Sequence, residues 1–467
     1  MAGTLPEDVS LALASILRAA EWDDAPLDLL AVRDGPPVYP VSMPIEAMAT
    51  AAQAAVGLGV TALWRARTGR DQAVTVDRRA AGLSMAGADY LRIDGREEER
   101  WADITGFYPA KDGRWVYLHG NFPHLRDGLL RLLGAGGTKQ SVAAKVAGWD
   151  AFALEDAAAE AGLCGVAVRS RAEWETHEQA EAISFLPLVE IERIGDAPPE
   201  PPPEGPRPLS GIRMLDLSRV IAGPQAGRTF AEHGATVMRV ASPGLPFLES
   251  LVIDTGTGKR SCHIDLDRPE GVETLKALVR DADVFLDAYR PGALAARGFG
   301  AADLARLRPG IVSVSLRAWS RAGAWSGRRG YDSLVQGPTG LALVDIPDGR
   351  PRRLPCQPLD YLTGFLAAFG AMAALRRRAR EGGGWRVQVS LARTAAWMWR
   401  MTDRLGPKPV IPERRPELEE IPDRIRTMDS AFGRIAFLKS VLEMPDTPPG
   451  WDRPPVPLGA DPAAWPS

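Results

Sequence analysis

The sequence predicts an α/β protein: a large domain on a Rossmann-like parallel sheet, preceded by a smaller α+β domain. Three observations carry that expectation. From Ile212 onward, short apolar runs alternate with amphipathic helical stretches. Between Trp101 and Ile194, a β-hairpin leads into several amphipathic helices. Between these regions, residues 197–208 form a Pro/Glu/Gly run suited to a linker and not to a core.

Taken in order, residues 9–20 carry Leu11, Leu13, Ile16 and Leu17 on one helical stripe. Residues 47–64 form an uncharged, Ala-rich run broken by Gln53, Gly and Thr, which reads as a buried core helix and not as a membrane span. A strand is expected at 73–76. The Asp112-Gly113 pair, flanked by alternating runs from Gly106 to His119, predicts a hairpin. Helices at 125–133, 139–145, 149–161 and 172–182 follow, with strands at 164–168 and 186–194.

Beyond the linker, 212–217, 235–240, 261–266, 282–287 and 311–316 read as strands. Helices open at Gly223 and Pro269 and span 301–307. After Ala396 the pattern weakens to a Pro/Glu-rich connection, a strand-like 434–438 and a Pro-rich tail. The expected division is a front helical segment (1–100), a small α+β domain (101–197), a linker (198–208), an α/β large domain (209–345), a helix and strand (346–400), and an extension over the large domain (401–467).

One passage occurs twice. Pro355 to Val389 contains Pro358, Asp360, an Ala/Phe/Leu-rich run, Arg378, Gly382 and Val387. Near the front, Pro40, Ser42, an Ala-rich run, Arg65, Gly69 and Val74 repeat the layout. Pro40 to Pro358 is an offset of 318 and Val74 to Val387 one of 313, which predicts helices differing by about five residues. On this alignment Ser42 stands where the second copy has Asp360. Asp360 has two readings: an N-cap that accepts backbone N–H groups, or a carboxylate kept ionised by the helix dipole and aimed outward as a nucleophile.

Composition narrows the function. A net charge of −3 offers no basic surface for nucleic acid or anionic lipid. Cys164, Cys262 and Cys356 lie far apart with no CxxC, and the five histidines share no ligand spacing. That predicts no metal site and no disulfide framework, and fits a reducing cytoplasm. The N-terminus lacks the basic-then-apolar layout of a signal peptide. Gly223-Pro-x-x-Gly227 is not a dinucleotide fingerprint, and Gly256 to Ser261 lacks the first glycine and the Ser/Thr position of a P-loop.

The run 208–224 resembles the opening of the class III CoA-transferases. Further signatures follow in that family's order: Gly258-Lys259-Arg260-Ser261, Ala282-Asp283-Val284 with Tyr289-Arg290-Pro291-Gly292, Gly330-Tyr331-Asp332, and the Asp360 helix. The resemblance implies a CaiB/BaiF-type fold, here rearranged as two truncated copies fused in one chain. It implies a reaction in which Asp360 attacks an acyl-CoA thioester, forms an aspartyl-acyl anhydride and moves CoA to another carboxylic acid. It also implies that Val220, Ile221 and Ala222 line the thioester end, that Lys259, Ala288, Tyr289, Arg297 and Arg329 meet the nucleotide and its phosphates, and that Tyr331 faces the carboxylate. Coenzyme A thioester is then substrate, with no resident cofactor, a carboxylic acid is the acceptor, and a homodimer is expected. Two rivals stay open: an α-methylacyl-CoA racemase, which needs His in the place of Tyr331, and a non-catalytic acyl-CoA binder.

Overall fold

The computed structural model describes residues 5–466. Its centre is a seven-stranded sheet whose strands are β1 (Glu190–Gly195), β2 (Arg213–Leu217), β3 (Thr236–Ala241), β4 (Arg260–His263), β5 (Val284–Asp287), β6 (Val312–Arg317) and β7 (Gly384–Ser390). The spatial order is β4-β3-β2-β5-β6-β7-β1, parallel throughout except for β1. The direction of travel reverses between β2 and β5, the place where a doubly wound sheet opens a ligand crevice.

The strand expected within the small domain is β1, and it pairs antiparallel with β7 at the edge of the large sheet. Period-two patterning identifies a strand and says nothing about its partner. The small domain is therefore the hairpin Gly106–Pro109/Trp115–Leu118, the strand Gly165–Ala167 beside it, and their helices around a separate apolar core. The helix expected at 172–182 divides into Arg171–Glu175 and Glu178–Ser184, where the His177 ring accepts the Gln179 N–H. The Pro-rich 197–208 stretch is docked: Gly383 N–H donates to the Ala197 carbonyl, and the Arg67 guanidinium donates to the carbonyls of Arg207 and Ser210.

One sheet face, with Val284, Leu286, Val312, Val314 and Val387, packs on the helices Ala222–Glu232 and Pro358–Glu381. The other face packs on Pro269–Arg280 and Ala301–Leu307 through Leu275, Leu278 and Leu304. The front helix Ile45–Thr68 lies along Pro358–Glu381 in the same core. Both helices are long and apolar enough to cross a membrane, and 94 % and 100 % of their apolar windows are buried inside the protein.

Each of these two helices has 24 residues, and Ile45 to Pro358 and Thr68 to Glu381 are both offsets of 313. The expected five-residue difference is absent, because the two prolines that suggested it are not equivalent. The constant offset places Ala47, not Ser42, opposite Asp360. Ser42 precedes the front helix and its hydroxyl donates to Asp345 at 2.8 Å.

The C-terminal extension divides its contacts. The hairpin Ile425–Ser430/Gly433–Leu438 pairs with Arg92–Ile93, and Leu442–Glu443 pairs with Thr75 and Val76 of the front segment. The tail rests on the large domain, where Trp451 and Trp465 donate to the carbonyls of Arg228 and Leu278, and Phe437 of the hairpin lies under the Arg228 guanidinium.

Gly364, one turn below Asp360, sets the spacing of the core helices. A Cβ there would stand 2.6 Å from the Ala222 carbonyl oxygen and 2.9 Å from Gln225 Cβ. Gly364→Ala forces these backbones apart, and urea denaturation is expected to show a loss of about 1–3 kcal/mol.

Candidate active site

A cavity of about 660 Å³ opens at the carboxyl edge of the sheet, over the reversal between β2 and β5. The loops after β2, β3, β4, β5 and β6 all contribute to its wall. Its size falls within the roughly 300–1,000 Å³ of small-molecule and cofactor sites.

Asp360 reaches this cavity from the first turn of Pro358–Glu381. It is not the helix cap. Gln357 holds that position, and the Asp360 N–H is taken by the Asp332 carboxylate at 3.0 Å. Asp332 also accepts from the Gln336 amide, and Gln336 Oε1 receives the Leu354 N–H at 2.8 Å. Among the described residues, the Asp360 carboxylate accepts no hydrogen bond, although the residue is only 6 % exposed. The capping interpretation fails because a second acid already does that work.

Two buried carboxyl groups so close disfavour joint ionisation. Burial, then the charge of Asp332, pushes the Asp360 pKa well above the carboxylate range. Burial pushes Asp332 to about 6, against the pull of the helix amides and Gln336. Asp360 also borders a smaller chamber of about 40 Å³, beside Ile221, Phe122 and Leu251. His119 lies there, stacked on Tyr331 with ring centroids 4.2 Å apart. Burial and the nearby Arg353 charge draw His119 down to about 3, so the ring is neutral.

The expected site residues Val220, Ile221 and Ala222 line the main cavity between β2 and the helix Ala222–Glu232. Val220 has φ +70°, an unfavourable backbone for a β-branched residue, at the turn that brings this loop to Asp360. Ala288 and Tyr289 line it from the end of β5, and Arg329 and Tyr331 from the loop before Asp332. Arg297 also lines it, with its guanidinium donating to Asp267 at 2.5 Å. Lys259 is the exception. It is buried behind the loop, with Nζ 2.6 Å from both Asp216 Oδ2 and the Pro224 carbonyl oxygen. The resemblance placed this lysine at the nucleotide, but it braces the loop from beneath.

Several site residues were not singled out from the sequence. Arg219 lines the cavity, donates to the Pro246 carbonyl and lies 5.0 Å over the Phe122 ring. Arg290 and Arg328 join Arg297 and Arg329 on the wall, and after burial the charges of Arg329, Arg219 and Arg290 depress the pKa of His124. Their signal was available, since Arg219 and Arg290 stand just past the ends of β2 and β5, where a doubly wound sheet binds ligands. Together the features make a cationic cavity that ends at an unengaged acid.

A family model described as CoA-transferase family III matches residues 209–415. The chain is 30 % identical over 407 residues to an acyl-CoA transferase of Gibberella moniliformis, covering 77 % of this chain and 71 % of that protein. It is 31 % identical over 323 residues to the acetyl-coenzyme A transferase nodX of Hypoxylon pulicicidum, covering 64 % and 54 %. To the succinate–glutarate CoA-transferase of Agrobacterium fabrum it is 34 % identical over 203 residues, covering 39 % and 51 %. The chain thus spans about half the length of the last two relatives.

The raised Asp360 pKa has a consequence for stability. A carboxyl raised in the folded state adds stability that is present below its unfolded pKa and lost as pH rises through its folded one. Asp360→Asn removes that ionisation. Thermal melts should show the variant close to the native protein near pH 4 and increasingly more stable than it as pH rises toward 8.

Proposed function

The chain belongs to CoA-transferase family III, and from that premise we propose that it moves CoA between carboxylic acids with Asp360 as nucleophile. The observation that carries this reading is the Asp360 carboxylate, free of hydrogen bonds at the end of a large cationic cavity. A carboxylate oxygen of Asp360 attacks the thioester carbonyl, the C–S bond breaks, and CoA leaves as thiolate. The product is an aspartyl-acyl anhydride, about as reactive as the thioester it came from. Exchange of the acid in that anhydride, then return of the thiolate to the new acyl carbonyl, leaves CoA on the second acid and regenerates Asp360.

Arg219, Arg290, Arg328 and Arg329 supply charge for the phosphates of CoA. Val220, Ile221 and Ala222 carry the pantetheine end past the start of their helix, whose backbone N–H groups can stabilise an oxyanion. Tyr331 sits beside the acid, held flat by His119.

Racemisation is less well supported. It needs a second acid/base near neutral pKa. Burial raises the Tyr331 pKa above the usual phenol range, and His119 is drawn to about 3. A purely binding role leaves the unengaged, cavity-facing carboxylate of Asp360 unexplained. The front helix, equal in length to the aspartate helix and packed along it, is proposed as a copy that lost its acid at Ala47. A reducing cytoplasm suits the three buried, unpaired cysteines, and a homodimer remains part of the proposal.

Incubation with acyl-CoA and hydroxylamine should give a hydroxamate at Asp360, located by mass spectrometry. Exchange of the α-proton without that adduct would favour racemisation instead. Asp360→Asn should reduce CoA exchange by about 10³-fold or more, and retention of full activity would refute the mechanism. Asp332→Asn keeps an oxygen for the helix amides and removes the charge that raises the Asp360 pKa. The acid limb of kcat/KM should therefore move to lower pH in this variant, whereas a purely structural Asp332 would leave it in place.

A further inference from the structure

On the second face of the sheet, between the helix Ala301–Leu307 and the strands β6, β7 and β1, a second cavity of about 270 Å³ is found. Its floor is made by the residues of β6 and β7 that point away from the apolar core, Ser313, Ser315, Arg386 and Gln388. In a doubly wound sheet such positions are ordinarily apolar and covered. Here they are hydroxyl, amide and guanidinium groups.

Most charges at this cavity are matched. Arg317 donates to Asp287 at 2.6 Å, Arg321 to Glu190 at 3.0 Å, and Arg386 to Glu192 at 2.5 Å. Arg393 has no carboxylate partner among the described residues. It is 5 % exposed, the one hydrogen bond of its side chain among the described residues is a 3.5 Å contact to the Ser184 carbonyl, and its Nε is buried without a partner. Gln388 Nε2 is buried and unpartnered as well. Arg393 lies in the first turn of the 15-residue helix Leu391–Leu405, whose N-terminus adds to the positive potential. Burial draws the Arg393 pKa down to about 10, which leaves it charged at neutral pH. A buried cation with idle donors is costly unless an anion completes it.

We propose that this cavity is a second binding site, separate from the CoA cavity, for a small oxyanion, a carboxylate or a phosphate group, held by Arg393 and Gln388 with the hydroxyls of Ser313 and Ser315. The two cavities share Pro291, Arg317 and Ser326 as a wall. Arg317 Nη1 also holds the carbonyl oxygens of Asp287 and Tyr289, each at 3.1 Å, so an occupant is placed to influence the Tyr289 side of the CoA cavity.

Isothermal titration of the full chain with inorganic phosphate, and separately with succinate, tests the assignment and tells the two chemistries apart. Saturable binding of at least one is expected, persisting at saturating CoA. Arg393→Met and Gln388→Glu should each weaken it at least about 10-fold, whereas Arg219→Ala, in the CoA cavity, should not. Gln388→Glu places a carboxylate at the cavity floor and keeps the test decisive if Arg393→Met fails to fold. Absence of saturable binding to both anions overturns the proposal, as does binding that resists Gln388→Glu or that is abolished by Arg219→Ala.

Discussion

The hydrogen bond from the Asp360 backbone to the Asp332 carboxylate governs the rest of the site. The first turn of a helix has amides in need of an acceptor, and the acid within that turn is the nearest candidate to satisfy them. Asp332 takes that task from another segment and is itself fixed by Gln336. The consequence is a carboxylate at the same helix end that accepts no hydrogen bond among the described residues. Burial and the charge of Asp332 raise the pKa of Asp360, so this carboxylate is more basic than an isolated aspartate.

The surrounding scaffold brings the β2 loop against this acid. Gly364 lets the start of Ala222–Glu232 approach the aspartate helix, and Val220 accepts a left-handed backbone in the intervening turn. Beneath the loop, the ion pair between Lys259 and Asp216 ties β2 to the residue before β4 and, through the Pro224 carbonyl, to the helix. A fully buried pair of this kind contributes little net stability but penalises loss of either partner heavily. Its effect here is to fix position, so that a strained turn holds one shape.

Much of this was legible in the sequence where the signal was local. Strand–helix alternation identified the parallel sheet, the Asp112-Gly113 pair identified the hairpin, and the motif order identified the family. What failed was pairing at a distance. Nothing local to Glu190–Gly195 says that it joins β7, and nothing near Ile425–Ser430 announces Arg92–Ile93 as the neighbour of its hairpin. Lys259 was expected at the nucleotide because its motif says nothing of burial, which depends on Asp216, 43 positions away. Asp332 was noticed only as the neighbour of Tyr331, since its work is done on a helix that starts 26 residues later.

The packing of Ile45–Thr68 along the aspartate helix has a further meaning because both belong to one polypeptide. A supporting helix borrowed from another molecule would come and go with concentration. A tethered one is held at a fixed effective concentration by the connecting chain. The floor of the aspartate helix therefore persists at any dilution, and its integrity is a matter of folding and not of encounter.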